Sequence, residues 1–144
     1  GENVESEIRT LLVANGASRV STIGTVRREL VRQQQLMGKA KGIVMDGRDI
    51  GTVVFPEAEL KIFLTASPEI RAKRRMDEMS AKGEVVNYED VLANVVERDD
   101  RDQNRLESPL RKADDAVIID NSNLTPSEQQ ELLKKLFSQK VLSD

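Results

Sequence analysis

Residues 60 to 69 read Leu60-Lys-Ile-Phe-Leu-Thr-Ala-Ser-Pro-Glu69, and this junction decides the fold. Leu60 to Leu64 is a short apolar run that follows a break at Phe55-Pro56, which fits a buried strand. Ser67-Pro68-Glu69 then opens a helix, with Ser as the N-cap, Pro at the first helical position and an acid in the first turn. The helix is predicted to run to about Lys82 and stop at Gly83, with Ala72, Met76 and Met79 on one face. A strand that feeds directly into a helix is the unit of a parallel α/β sheet.

The alternation extends in both directions from this junction. Upstream, Ile43-Val44-Met45 is an apolar run ending at Asp46-Gly47, which predicts a strand near 43–46. Downstream, Ala116 to Asp120 predicts another near 116–120, and Thr125-Pro126 starts a closing helix with Leu132, Leu133 and Leu136. Two helices precede the first strand. One covers about 2–14, with Val4, Ile8, Leu11 and Leu12 on one face, and closes at Asn15-Gly16. The other covers about 18–37, with Ile23, Val26, Leu30 and Met37 as its stripe. Gly83 to Asn87 reads as a loop with Val85 and Val86 exposed at its tip, and Asn87 caps the helix that follows.

That helix carries the charged run Glu97-Arg-Asp-Asp-Arg-Asp-Gln-Asn-Arg105. Val91 and Val95 mark its apolar stripe. At roughly 100° per residue, Arg98, Asp102 and Arg105 fall within about 40° of the same stripe. An apolar stripe that turns into Arg-Asp-Arg faces something charged, unless the run is an ordinary solvated ion-pair ladder.

Composition narrows the chemistry. The chain has 144 residues, 38% hydrophobic and 33% charged, which fits one soluble domain or one lobe of a larger one. Its net charge of −3 argues against a general nucleic-acid or anionic-membrane binder, and with three Phe, one Tyr and no Trp it has few rings for base stacking. No apolar run is long enough to cross a membrane, and a cytoplasmic location is expected. Cysteine and histidine are both absent. Thiol nucleophiles, imidazole bases and the usual zinc sites go with them. Carboxylates, arginines, lysines, hydroxyls and a hard cation such as Mg²⁺ remain, an inventory suited to phosphoryl transfer.

Three constellations could carry that chemistry. Asp46-Gly47-Arg48-Asp49-Ile50-Gly51-Thr52 leaves the carboxyl end of an apolar run, where open α/β sheets place ligands. Asp46 could hold Mg²⁺ directly or through water, Arg48 could grip a phosphate, and Asp49 could accept from an amine or hydroxyl. A glycine-rich turn whose Asp caps local amides is the plain alternative. Arg98, Asp102 and Arg105 form a second group, in which two guanidinium groups can clamp a phosphate around an orienting carboxylate. Arg71, Arg74 and Arg75 read either as a solvated helix face or as a phosphate-gripping lid.

Gly42-Ile-Val-Met-Asp-Gly-Arg-Asp-Ile-Gly-Thr-Val-Val-Phe-Pro56, the Lys61 to Leu64 run, Arg71 to Met76 and Glu97 to Arg105 together resemble bacterial cytidylate kinase, from residue 1 to about residue 137. That resemblance implies a P-loop kinase-type parallel sheet with flanking helices and transfer of the γ-phosphoryl group of ATP, with Mg²⁺, to CMP or dCMP. It implies that residues 1–38 are the helical nucleotide-monophosphate-binding insert. Residues 39–144 would be the C-terminal part of the core, with the lid near 71–101. Ser18, Arg27 and Asp49 would lie on the cytosine, Arg48 and Arg105 on the acceptor phosphate, Asp102 and Arg98 about the sugar, and Arg71, Arg74 and Arg75 on the lid side of ATP. Arg48, Arg98 and Arg105 would act in catalysis.

The resemblance lacks one part. No G-x-x-x-x-G-K-[ST] phosphate loop occurs in the sequence, so the chain reads as the part of a kinase that starts at the insert. In that fold the first strand lies between the Ile43 and Leu60 strands. Without it both neighbours would expose unpaired backbone, so a missing N-terminal segment, another copy or a rearranged sheet is expected to fill the gap. The alternatives are a non-catalytic nucleotide-binding module and a protein-docking domain.

Overall fold

A computed structural model describes residues 2–8 and 10–142. Three helices come first: α1 (Glu5–Ile8), α2 (Leu11–Val20) and α3 (Gly24–Gly38). A π-helical turn follows at Ile50–Val54, then β1 (Ile62–Thr65), α4 (Pro68–Ala81), α5 (Tyr88–Asn104), β2 (Val117–Asp120) and α6 (Pro126–Val141). β1 and β2 pair in parallel, with Ile62 opposite Val117 and Thr65 opposite Asp120. The crossover between them contains both α4 and α5, so the fold is α/β, as the 60–69 junction implies. No helix among the described residues is long and apolar enough to cross a membrane.

Local capping explains why the helices start where they do. The side chains of Ser67, Asn87 and Thr125 accept from the backbone N–H groups of Ile70, Glu89 and Glu128. Thr125 and Glu128 complete a reciprocal capping box. α4 ends in a Schellman motif: Gly83, at φ 82°, donates to the Ser80 carbonyl at 2.9 Å, and Glu84 donates to Met79 at 3.0 Å.

α4 packs on α5 through Ala72, Met79, Val91 and Val95, with Val86, Tyr88 and Leu92 around them. Ala72 is fully buried, and its small side chain lets the two helices approach closely. Val85 stands in solvent as the loop reading expects, but Val86 turns inward onto this core.

Several expectations are corrected, among them the single helix over 18–37, which is divided between the end of α2 at Val20 and α3 from Gly24. The helix over 2–14 is two pieces, because Thr10 leaves helical geometry (φ −86°, ψ 158°) and caps α2 by accepting from the Val13 N–H. α2 then runs through Asn15-Gly16, where glycine costs some stability without forcing a stop. The apolar stripes of the first helices are largely exposed, with Ile8, Leu12, Leu30 and Met37 all open to solvent. The Leu11 side chain lies outside the described residues. α3 buries Arg27 instead.

A further correction concerns the strand near 43–46, which does not form: Ile43 to Asp46 has no regular structure and Val44 is 98% exposed. A strand exists only as a partner in a ladder, and the nearest candidate, β1, is separated from this segment by a cavity of about 480 Å³. Met45, Asp46, Gly47 and Arg48 line one side of the cavity and Leu60 to Ala66 the other. Leu64, Val117 and Ile118 of the sheet are exposed as well. Parallel sheets are normally covered on both faces, so this one is open where a further layer and strand belong.

Candidate functional site

The 49–54 backbone coils tightly before the site. The Asp49 carbonyl accepts from Thr52, Val53 and Val54, and Phe55 donates to Ile50 at 2.7 Å to close the π-turn. α3 braces this turn: Gln35 Nε2 donates to the Val54 carbonyl at 3.2 Å, and the Phe55 ring fills the space where a Cβ at Gly38 would stand. As a result the Asp49 side chain is buried against α3, where Arg27 forms an ion pair with it.

α5 supplies the opposing wall. Its stripe of Val91 and Val95 does continue into buried Asp102, as the spacing implies. The helix itself ends at Asn104, and Arg105 is the C-cap in extended geometry. Its side chain nevertheless points inward at 4% exposure, with Nε donating to the Ser108 carbonyl at 2.7 Å. Ser108 presents that carbonyl from a left-handed conformation at φ 50°.

Six charged groups thereby converge. Asp102 accepts from Arg48 Nε at 3.0 Å, and Arg98 Nε and Arg105 Nη1 lie 3.9 and 3.7 Å from its carboxylate. Arg105 Nη2 stands 4.0 Å from Asp49, which links this group to Arg27. Four guanidinium groups face two carboxylates, an excess of two positive charges. Arg27 Nε, Arg98 Nε and Arg105 Nη2 are buried without a hydrogen-bond acceptor. Asp49 Oδ2 is likewise buried without a hydrogen bond, although it pairs ionically with Arg27; the unsatisfied donors are costly, and an anion would satisfy them.

The proton affinities reflect this crowding. Burial lowers the pKa of Arg105, helped by the charge of Arg27 and opposed by Asp49 and Asp102. Burial lowers that of Arg98 as well, helped by Arg48 and Arg75. Both follow from withdrawing like charges from water.

The remaining sequence-derived residues are distributed around this centre. Ser18 of α2 is buried and receives a hydrogen bond from Arg101 Nη1 at 2.9 Å. Arg71 lines the 480 Å³ cavity. It grips Asp99 of α5 with both guanidinium nitrogens, one contact at 2.8 Å, and its Nε donates to the Ala66 carbonyl. Asp99 in turn raises the Arg71 pKa. Arg74 does not line that cavity. It donates to Asn121 Oδ1 at 3.1 Å and to the Asn121 carbonyl at 2.6 Å, tying α4 to the segment after β2. Arg75 is half-buried on α4, near enough to Arg98 for its charge to help lower the Arg98 pKa. Asp46 is an exposed carboxylate on the cavity wall. Among the described residues no three carboxylates cluster as a metal site.

Sequence reasoning missed Asp99 and Asn121, the partners of Arg71 and Arg74, and the contact of Arg101 with Ser18. These lie 28 to 83 residues apart in sequence, and no local pattern encodes them.

The fold is α/β, and the cluster is a partly buried, arginine-rich one with an excess of positive charge. A family model described as cytidylate kinase matches residues 1–139. The chain is 61% identical over 141 residues to a cytidylate kinase of Parabacteroides distasonis, covering 98% of this chain and 62% of that protein. It is 59% identical over 144 residues to one of Flavobacterium johnsoniae, covering all of this chain and 63% of that protein. Similarity to one of Bacteroides fragilis is 58% over 141 residues, at 98% and 62% coverage. The chain belongs to the cytidylate kinase family, and it spans about three-fifths of the length of the curated relatives it matches.

Proposed function

We propose that the protein transfers the γ-phosphoryl group of ATP to CMP or dCMP, and that this chain carries the acceptor site and the lid side of that reaction. The observation that carries the reading is the excess of two positive charges around Arg105, in which Arg27 and Arg105 are buried against Asp49 and Asp102 while half-buried Arg98 and exposed Arg48 supply the surplus, a charge that matches a phosphomonoester dianion. In this reading residues 1–38 are the monophosphate-binding insert and residues 39–144 belong to the core. Ser18, Arg27 and Asp49 take the cytosine, Arg48 and Arg105 the acceptor phosphate, and Asp102 and Arg98 the sugar. Arg71 faces the donor nucleotide from the cavity wall, and Arg75 stands on the same helix beside it. Arg74 joins them if it exchanges its carbonyl partners for phosphate oxygens.

Catalysis is by positioning and charge. The arginines hold the acceptor oxygen toward the donor and neutralise charge as the phosphoryl group moves, with no covalent intermediate. Mg²⁺ accompanies ATP in such reactions and shields the donor phosphates. A lone carboxylate such as Asp46, with phosphates and water, fits the sparse protein ligation typical of that ion. The open face of β1 and the cavity beside it accept a strand and a phosphate loop supplied by a further segment or by another copy. The same reading puts the reaction in the cytoplasm, where its nucleotide substrates are.

A coupled assay of ADP release by the whole protein tests this. ATP-dependent turnover with CMP, reduced at least ~100-fold by Arg105→Ala, supports it. Turnover unchanged by that substitution removes Arg105 from the site. Equal binding of CMP, UMP and AMP would favour a docking surface instead.

A further inference from the structure

Helix α3 begins without help from its own N-cap, because the Ile23 side chain has no atom that can accept from the first turn. Glu107, from the loop after α5, lies against that end instead. At Gly24, the first residue of α3, a Cβ would stand 2.7 Å from the Glu107 carboxylate carbon, so the side chain occupies space that glycine leaves open. One turn further along α3, Arg28 Nη1 donates to the same carboxylate in an ion pair. The carboxylate thus meets positive charge from the helix terminus and from a guanidinium group together.

The loop that carries Glu107 also shapes the arginine cluster. Ser108 takes a left-handed backbone at φ 50° and turns its carbonyl to Arg105 Nε at 2.7 Å. A serine keeps such a conformation only where its surroundings impose it. On one side the Leu110 N–H donates to the Asp102 carbonyl at 2.7 Å, which ties the loop back to α5. On the other side Glu107 ties it to α3. Between Gly24 and Arg28 lies Arg27, whose partner Asp49 also stands 4.0 Å from Arg105.

We propose that Glu107 is a positioning residue: by spanning α3 and the 105–108 loop it holds the Ser108 carbonyl, and with it Arg105, in the place from which Arg105 meets an acceptor phosphate. This rests on the reading above of Arg105 as a phosphate ligand. The Arg28 and Glu107 side chains are 63% and 40% exposed, so the effect is on the scale of a surface ion pair.

The test measures kcat and KM for CMP, and KM for ATP, in the whole protein with Glu107→Ala, Gly24→Ala, Arg105→Ala and each of the first two combined with the third. Gly24 does not have a left-handed backbone, so alanine suits the helix there while its Cβ displaces the Glu107 carboxylate. Glu107→Ala and Gly24→Ala should each lower kcat/KM for CMP roughly two- to fivefold through KM and leave KM for ATP unchanged. Gly24→Ala should do so without lowering the melting temperature. In the Arg105→Ala background neither should cause a further loss. The proposal is overturned, and the reading of Arg105 stands, if Arg105→Ala impairs CMP turnover while either other variant keeps the wild-type KM for CMP, raises KM for ATP equally, or adds its loss to that of Arg105→Ala. If Arg105→Ala itself leaves kcat/KM for CMP unchanged, both fail.

Discussion

Asp102 Oδ2 accepts from Arg48 Nε at 3.0 Å, joining the last turns of α5 to a loop 54 residues earlier. Asp102 is 4% exposed, and Arg98 and Arg105 flank it. Removing its charge leaves three guanidinium groups facing one another. Asp102→Ala should therefore destabilise the protein by about 3–5 kcal/mol, the usual consequence of breaking a buried ion pair from one side. Inorganic phosphate should raise the melting temperature of the variant more than that of the wild type, because it returns negative charge to the cluster. A thermal melt with and without phosphate checks both statements.

Arg74 serves the scaffold as well as any ligand. Its guanidinium bonds both the side chain and the backbone of Asn121, and the Asn121 amide donates to Gln129 at 2.6 Å, so one residue ties α4, the end of β2 and α6 together. Arg74→Ala is expected to cost about 1–3 kcal/mol by leaving buried acceptors unmade. Arg71→Ala should instead raise the KM for ATP with a smaller loss of stability. Equal melting temperatures for the two variants would contradict this division.

Met79 lies between α4 and α5 at 8% exposure, in contact with the core that sets the position of Asp102 further along α5. Met79→Ala should destabilise by about 2–3 kcal/mol, as cavity formation in a core does. Denaturant unfolding measures it, and a change below half of the lower figure would mean that this helix pair is not the main core.

Acid should loosen the start of α6. The Thr125 N–H and hydroxyl, 2.8 and 2.7 Å from the Glu128 carboxylate, hold its pKa below the ordinary glutamate range. A carboxylate whose pKa is lower in the folded state contributes stability above its ordinary pKa, and that contribution fades as pH falls through the folded value. Carboxyl NMR titration should give a depressed midpoint for Glu128, and Thr125→Val should return it toward the ordinary range.

Local signals read correctly from sequence because their physics is local. Ser67-Pro68, Asn87 and Thr125-Pro126 each satisfy orphan amides within three residues, so their helices start as expected. The Val91, Val95 and Asp102 stripe was legible for the same reason. Ile43 to Met45 failed because a strand needs a neighbour, and an apolar run does not supply one. Asn15-Gly16 misled because a helix terminator acts only where packing does not carry the helix past it, and α2 is tied to α5 through Asn15 itself. Arg27 enters the sequence reading only through the family resemblance, because its burial depends on Asp49, which only the folded chain brings to it.

The central claim is that the arginines around Arg105 form a site for the phosphate of a cytidine monophosphate. Calorimetric titration of the whole protein with CMP and with cytidine, each against wild type and Arg105→Ala, tests it most directly. CMP should bind the wild type at least ~100-fold more tightly than cytidine, and most of that difference should vanish in Arg105→Ala. Equal affinities for CMP and cytidine, or a difference that survives the substitution, would contradict it.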